Sequence, residues 1–166
     1  MNSAKPILTP DELLFHWQGH RALTRRVIEA FPEQELMSHS VGGMRPFAEL
    51  AKELLAIAVP GLKEIVGGEI KPFNDENEKL DSKAALLNAW DEATLAIDEL
   101  WAKIPLERFR ENIRLFGEYD FPVIQNVLYF IDNEIHHRAQ GYVYLRTLGI
   151  QPPFFWERQL EQPASA

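Results

Sequence analysis

The fold of this chain is decided by one stretch near its end, Asp132-Asn133-Glu134-Ile135-His136-His137-Arg138-Ala139-Gln140. Titratable and amide side chains are concentrated here, inside a segment of residues 122–148 that is otherwise rich in apolar side chains. The apolar residues of this segment recur with the spacing of an amphipathic helix. The stretch therefore predicts a long helix that carries a candidate site as well as a core-facing surface.

At about 100° of rotation per residue, this helix has two distinct sides. An apolar stripe of the width that faces a core is formed by Ile124, Val127, Leu128, Ile131, Ile135, Tyr142 and Leu145. A second, roughly opposite side carries Asn126, Asn133, His137, Gln140 and Tyr144. Because apolar residues flank this second side as well, we expect it to be partly buried.

Asn133 and His137 are one helical turn apart, so they point into the same volume. An unpaired polar group away from water costs a few kcal/mol, and both side chains therefore need partners. A metal, a substrate or another helix could supply them. The alternative is that both are satisfied core polar groups or part of a solvated face.

Length and composition indicate one globular domain, with 166 residues, 46% hydrophobic residues and 25% charged residues. We expect its core at about residues 9–153, with tails at residues 1–8 and 160–166. A net charge of −8 argues against nucleic acid or an anionic membrane as a partner. The start of the chain lacks the apolar region of a signal peptide, and no apolar run is long enough to span a bilayer, so we expect a cytoplasmic protein.

The chain contains no cysteine. Disulfides, thiolate catalysis and thiolate metal ligands are therefore excluded. Any bound metal must take imidazole, carboxylate, amide or water ligands.

Four segments with helical periodicity are predicted, at residues 9–31, 46–59, 81–101 and 122–148. Thr9 and Glu12 have the spacing of a capping box, and Gly149 is expected to cap the last helix. Pro60 is expected to end the second helix, with a short continuation to residue 66, and residues 106–117 predict a short helix or a strand-like piece. The long connections indicate an all-α four-helix bundle with crossovers, so an up-down-up-down order is not required.

Two further groups of residues are candidate metal ligands. Glu53 lies at the margin of the apolar stripe of the second helix, where a carboxylate either pairs with a cation or metal or leans into water. His16 and His20 are one turn apart on the first helix and form a rival metal pair. Two histidines alone do not make a metal site, and the alternative is that both are surface or satisfied core side chains.

Three pieces of the sequence resemble the DinB-like (DinB/YfiT) family. Residues 134–140, with residues 144–150 and Pro152-Pro153 after them, resemble the last helix of that family, and residues 46–53 resemble its second helix. The resemblance covers most of residues 9–153. It implies a four-helix bundle, often a dimer, in which many members hold a divalent metal with three histidines.

Carried over residue by residue, the three metal-ligand positions of the family fall on Glu53, Asn133 and His137. Only His137 is a histidine, so the resemblance implies a degenerate site. Glu53 and His137 suit zinc, nickel, manganese or iron, whereas the neutral amide of Asn133 is a weak ligand. Such a site would bind metal more weakly than three histidines, or not at all.

Two functions follow from the resemblance. The first is a metal-dependent enzyme, a thiol-dependent transferase or a hydrolase, in which the metal lowers the pKa of a bound water or thiol cosubstrate. Tyr144, Gln140 and Asn126 are then the predicted pocket side chains. The second is a metal-free bundle that binds a small molecule or acts as an interaction protein, in which Glu53 accepts the proton of His137.

A homodimer is the expected assembly. The aromatic residues after the last helix, Phe154, Phe155 and Trp156, could cover a second copy of the chain, or they could fold back onto the bundle.

Overall fold

The computed structural model describes residues 7–73 and 79–158. Within them the elements are α1 (Pro10–Ala30), α2 (Glu33–Ser38), α3 (Phe47–Ile65), α4 (Lys83–Trp101), a 3-10 helix (Leu106–Arg110), β1 (Asn112–Leu115), β2 (Tyr119–Pro122) and α5 (Val123–Thr147). The four long helices form the bundle that the sequence predicts, and β1 and β2 pair as an antiparallel hairpin. The predicted tails lie outside the described residues, apart from Ile7 and Leu8.

The core consists of two apolar clusters at opposite ends of the bundle. The first contains Trp17 of α1 and Phe130 of α5, together with residues from the second halves of α3 and α4. The second contains Phe31, which follows α1, and Tyr144 of α5, together with residues from the first halves of α3 and α4. Thus α1 and α5 run in one direction and α3 and α4 in the other, which gives an up-down-down-up bundle with crossover connections.

Polar side chains separate the two clusters. We call them the polar layer, and its members are His20, Arg21 and Thr24 of α1, Glu53 of α3, Thr94 of α4, and Asn133, Glu134, His137 and Arg138 of α5. Each long helix packs on two others, α1 on α4 and α5, and α3 on α4 and α5. The polar layer therefore lies across the middle of the bundle.

The predicted helix ends at Thr9 and Gly149 are confirmed. The Thr9 Oγ1 accepts the Glu12 backbone N–H at 3.2 Å, and the Glu12 carboxylate accepts the Thr9 N–H at 2.7 Å. Gly149 has φ +75°, which an L side chain rarely adopts, and follows the last residues of α5.

The prediction that Pro60 ends the second helix is wrong. Helix α3 continues through Pro60 to Ile65. Pro60 is exposed, whereas Gly61, Leu62 and Ile65 are buried. Burial of the last turns therefore outweighs the backbone hydrogen bond that the proline removes.

The packing of α5 corrects the expected core stripe of the last helix. Leu128 was expected in the core stripe of the last helix but is 41% exposed, whereas Phe130 is 2% exposed. Helix α5 contacts α1, α3 and the hairpin at once, so burial extends over its polar side.

The connection before α3 contains α2, and residues 106–117 hold both a 3-10 helix and strand β1, whose partner β2 was not predicted. Of the described helices, none combines the length and the apolar character that a membrane span requires.

We expect Gly141→Ala to destabilise the protein. A Cβ atom at Gly141 would lie 2.6 Å from Cε2 of Phe47, whose ring stacks on Phe31 at a centroid distance of 5.1 Å. Overpacking of this kind costs about 1–3 kcal/mol, which exceeds the roughly 1 kcal/mol gained from the helix propensity of alanine. Urea denaturation measures the loss.

A double-mutant cycle with Phe47→Leu is the control. In the Phe47→Leu background, Gly141→Ala should cost less, because the ring that it contacts is gone. The same cost in both backgrounds would show that this contact is not the cause.

Candidate functional site

Glu53 is the centre of the candidate site. Its Oε1 atom lies 3.0 Å from Nε2 of His137 and accepts a hydrogen bond from the Asn133 amide at 3.3 Å. Its Oε2 atom accepts a hydrogen bond from the guanidinium of Arg45. The structure thus brings together the three residues that the family resemblance indicates, and adds Arg45.

A second ring of contacts holds this cluster in place. The Nδ1 atom of His137 lies 2.8 Å from the Gln140 amide oxygen, and the hydroxyl of Tyr144 donates to the Arg45 carbonyl at 3.0 Å. Gln140 and Tyr144 therefore support His137 and the segment that carries Arg45. Sequence reasoning missed Arg45, because it precedes α3 and no helical spacing relates it to Glu53.

Burial raises the pKa of Glu53, but the hydrogen bonds from Arg45, His137 and Asn133 outweigh it, and the pKa lies below its ordinary value. The carboxylate is therefore ionised at neutral pH and acts only as a hydrogen-bond acceptor.

The donor set does not fit a divalent metal. It offers one carboxylate, one imidazole and one amide, whereas catalytic zinc sites use three strong protein ligands. Among residues 7–73 and 79–158, no three His, Asp or Glu side chains are grouped as a metal ion needs. The Arg45 guanidinium on the second oxygen of Glu53 adds a positive charge that repels a metal cation.

The rival pair on α1 is surrounded by arginine. The Nε2 atoms of His16 and His20 are 3.1 Å apart, Arg158 lies 3.1 Å from Nδ1 of His16, and Arg138 lies 2.9 Å from Nδ1 of His20. Burial and the neighbouring positive charges of Arg138 and Arg158, with His16, lower the pKa of His20 to about 3. A metal ion here would meet two guanidinium groups, so this pair fits a cation poorly as well.

Buried Glu134 links α1 to α5. Its Oε1 accepts the Thr24 hydroxyl at 2.6 Å, and its Oε2 accepts the Trp17 indole N–H at 3.3 Å. Arg21 lies 3.8 Å and Arg138 4.0 Å from this carboxylate, and all three charged side chains are at most 6% exposed. Arg138 also donates to the Thr24 hydroxyl oxygen at 3.1 Å.

A cavity of about 400 Å³ adjoins Glu53. It lies between α3, α5 and the hairpin, and six aromatic side chains line it: Phe73, Phe116, Tyr119, Phe121, Tyr129 and Phe130. Of the three predicted pocket residues, Asn126 lines this cavity, whereas Gln140 and Tyr144 do not. The wall formed by Tyr119 and Phe121 was missed because strand β2 was not predicted.

The aromatic residues after α5 are largely exposed, with Phe154 at 48%, Phe155 at 68% and Trp156 at 62%. Phe154 and Trp156 stack on each other at a centroid distance of 4.8 Å. The homodimer stays a prediction.

The fold and the site place this chain among the all-α bundle proteins that build a polar centre from side chains on facing helices. A model of the DinB family matches residues 1–165, and the chain belongs to this family. The family resemblance of the sequence is thereby confirmed.

Two Bacillus proteins illustrate the relationship. The chain is 24% identical over 152 residues to the uncharacterized protein YjoA of Bacillus subtilis (strain 168), covering 89% of this chain and 97% of YjoA. The crystal structure of a DinB-like protein from Bacillus cereus ATCC 10987 matches with a TM-score of 0.72 at 16% identity, covering 88% of this chain and 97% of that one. The crystal structure of YjoA matches with a TM-score of 0.70 at 23% identity, covering 87% and 97%. At these identities the structures support the fold alone.

We expect Glu134→Gln to destabilise the protein by about 3–5 kcal/mol, because it leaves two buried arginines without a compensating charge. Urea denaturation measures the difference. Asp132→Asn, an exposed carboxylate on the same helix, is the matched control and should change stability by less than about 0.5 kcal/mol. Equal effects of the two substitutions would contradict a structural role for the buried charges.

Proposed function

We propose that this protein binds a small organic molecule in the cavity beside Glu53, and that its polar cluster works without a metal. The observation that carries the proposal is the pairing of Glu53, because both of its oxygens accept hydrogen bonds from N–H groups of the protein. The nearby imidazole of His137 offers a further N–H donor. A carboxylate paired in this way needs no metal to remain partly buried.

The cavity supports the binding role. Its volume of about 400 Å³ lies in the usual range for small-molecule sites, which is about 300–1,000 Å³. Its walls are mainly aromatic and aliphatic, and a few polar side chains, Glu53, Gln125 and Asn126, line the same space. Apolar walls supply binding energy, and a few polar groups set the orientation of the ligand.

A metal-dependent transferase or hydrolase is the alternative function. It would require Arg45 to leave the Glu53 carboxylate and a third strong ligand to join Glu53 and His137. The contacts of these residues favour the metal-free form, and metal measurements separate the two functions.

We expect protein purified without an affinity tag to contain far less than one zinc, nickel, manganese or iron ion per chain by elemental analysis. A chelator should leave the melting temperature unchanged, because only a metal that binds the folded state stabilises it. Metal at one ion per chain that disappears in a Glu53→Ala, His137→Ala variant would overturn the metal-free proposal. Metal that persists in this variant would indicate binding at His16 and His20.

Restoring the histidines provides a gain-of-function test. The double variant Glu53→His, Asn133→His recreates the three-histidine set of the family, and zinc should then raise its melting temperature. Zinc at 100 times its dissociation constant stabilises by about 2.7 kcal/mol. The same variant with His137→Ala is the control and should lose most of this response. An equal response to zinc in the parent protein would contradict the metal-free proposal.

Ligand binding is tested by a fragment screen followed by NMR. Gln125 is exposed at the edge of the cavity, so Gln125→Trp should fill the opening and weaken the binding of fragments at least roughly tenfold, a loss of about 1.4 kcal/mol. Glu99→Trp, at an exposed position of α4 away from the cavity, should leave binding unchanged. Failure to find any fragment that Gln125→Trp excludes would overturn the proposed function.

A further inference from the structure

We infer that the cavity beside Glu53 prefers an organic cation, a molecule with an ammonium group that carries apolar substituents. This inference rests on the proposed function and names the class of its ligand. Two independent features of the cavity wall support it, the number of aromatic rings and the sign of its charge.

The aromatic rings surround the cavity from several elements. Phe116 and Phe130 are buried at 7% and 2% exposure, and Phe73 packs edge-on against Phe116 at a centroid distance of 5.6 Å. Tyr119 and Tyr129 stand at the opening, exposed by 46% and 53%. The face of an aromatic ring is electronegative and attracts a cation, and several rings around one site form the kind of cage that binds quaternary ammonium groups.

The charge of the lining has the matching sign. Of the described residues that line the cavity, Glu53 alone is charged, and none is a lysine or an arginine. The Glu53 side chain remains 17% exposed although it pairs with Arg45 and His137. An anionic ligand would find no cation among the lining residues, whereas a cationic ligand finds six aromatic rings and a carboxylate whose charge the neighbouring Arg45 offsets in part.

The exposed aromatic rings that line the cavity form one apolar surface. Phe73, Tyr119, Phe121 and Tyr129 are each at least 38% exposed, and they line one cavity. A contiguous apolar surface of this kind usually marks a binding site. Aromatic side chains outnumber aliphatic ones in this lining. This composition favours a cationic ligand, because a cation is attracted to a ring face in addition to making apolar contact.

The test compares choline with 3,3-dimethylbutan-1-ol, which has the same shape but a carbon atom in place of the charged nitrogen. Both are titrated into the full-length protein and followed by NMR resonances of residues that line the cavity. We expect choline to bind roughly tenfold more tightly than the neutral alcohol. Equal binding of the two molecules would overturn the cation inference and leave the proposed small-molecule function standing.

Substitutions at the opening identify the source of the preference. Tyr129→Leu should weaken choline binding several-fold with little effect on the neutral alcohol, whereas Tyr129→Phe keeps the ring and should keep the preference. Tyr129 is half exposed, so both variants should fold. Identical affinities of the Leu and Phe variants for choline would contradict a role for the ring face.

The contribution of the Glu53 carboxylate to choline binding is tested by substitution as well. Glu53→Gln should reduce choline binding roughly tenfold, and Glu49→Gln, one turn earlier on α3 and outside the cavity lining, is the matched control. If neither choline nor the alcohol binds while fragments do occupy the cavity, the cation inference fails and the proposed function stands. If no fragment occupies the cavity, the proposed function fails, and this inference fails with it.

Discussion

The structure depends on the burial of Glu134 between two arginines. A carboxylate and two guanidinium groups in a bundle interior are tolerated only when they lie close enough to compensate one another's charge. Arg21 comes from α1 and also bonds to α4, with its guanidinium 3.8 Å from the centre of the Trp90 ring, while Arg138 comes from α5. These contacts tie α1, α4 and α5 in one register, because a shift of any of these helices would leave a buried charge unpaired.

The candidate site depends on this register because α5 contributes side chains both to the Glu134 charge cluster and to the candidate site. Glu134 and Arg138 face α1, whereas Asn133 and His137, one residue earlier in each pair, lie about 100° around the helix and face α3. The polar layer is therefore one structure with two sides. The α1 side fixes the position of α5, and the α3 side presents His137 to Glu53 at hydrogen-bond distance.

Glu53, Asn133 and His137, the positions where the family resemblance implies metal ligands, contact one another in this structure. The Glu53 carboxylate forms an ion pair with Arg45 and accepts a hydrogen bond from the Asn133 amide. Of this cluster, Glu53 also lines the aromatic cavity. The remaining aromatic wall of this cavity comes from the hairpin, the segment before residue 74 and α5.

Local patterns in the sequence determined the four long helices, the caps at Thr9 and Gly149, and the shared direction of Asn133 and His137, because periodicity and capping act over a few residues. The involvement of Glu53 came from the family resemblance. Only the tertiary structure decided that α3 continues through Pro60, that Arg45 reaches Glu53, and that a hairpin closes an aromatic cavity. These features join segments far apart in the chain, and their energies come from burial and charge pairing that no local pattern encodes.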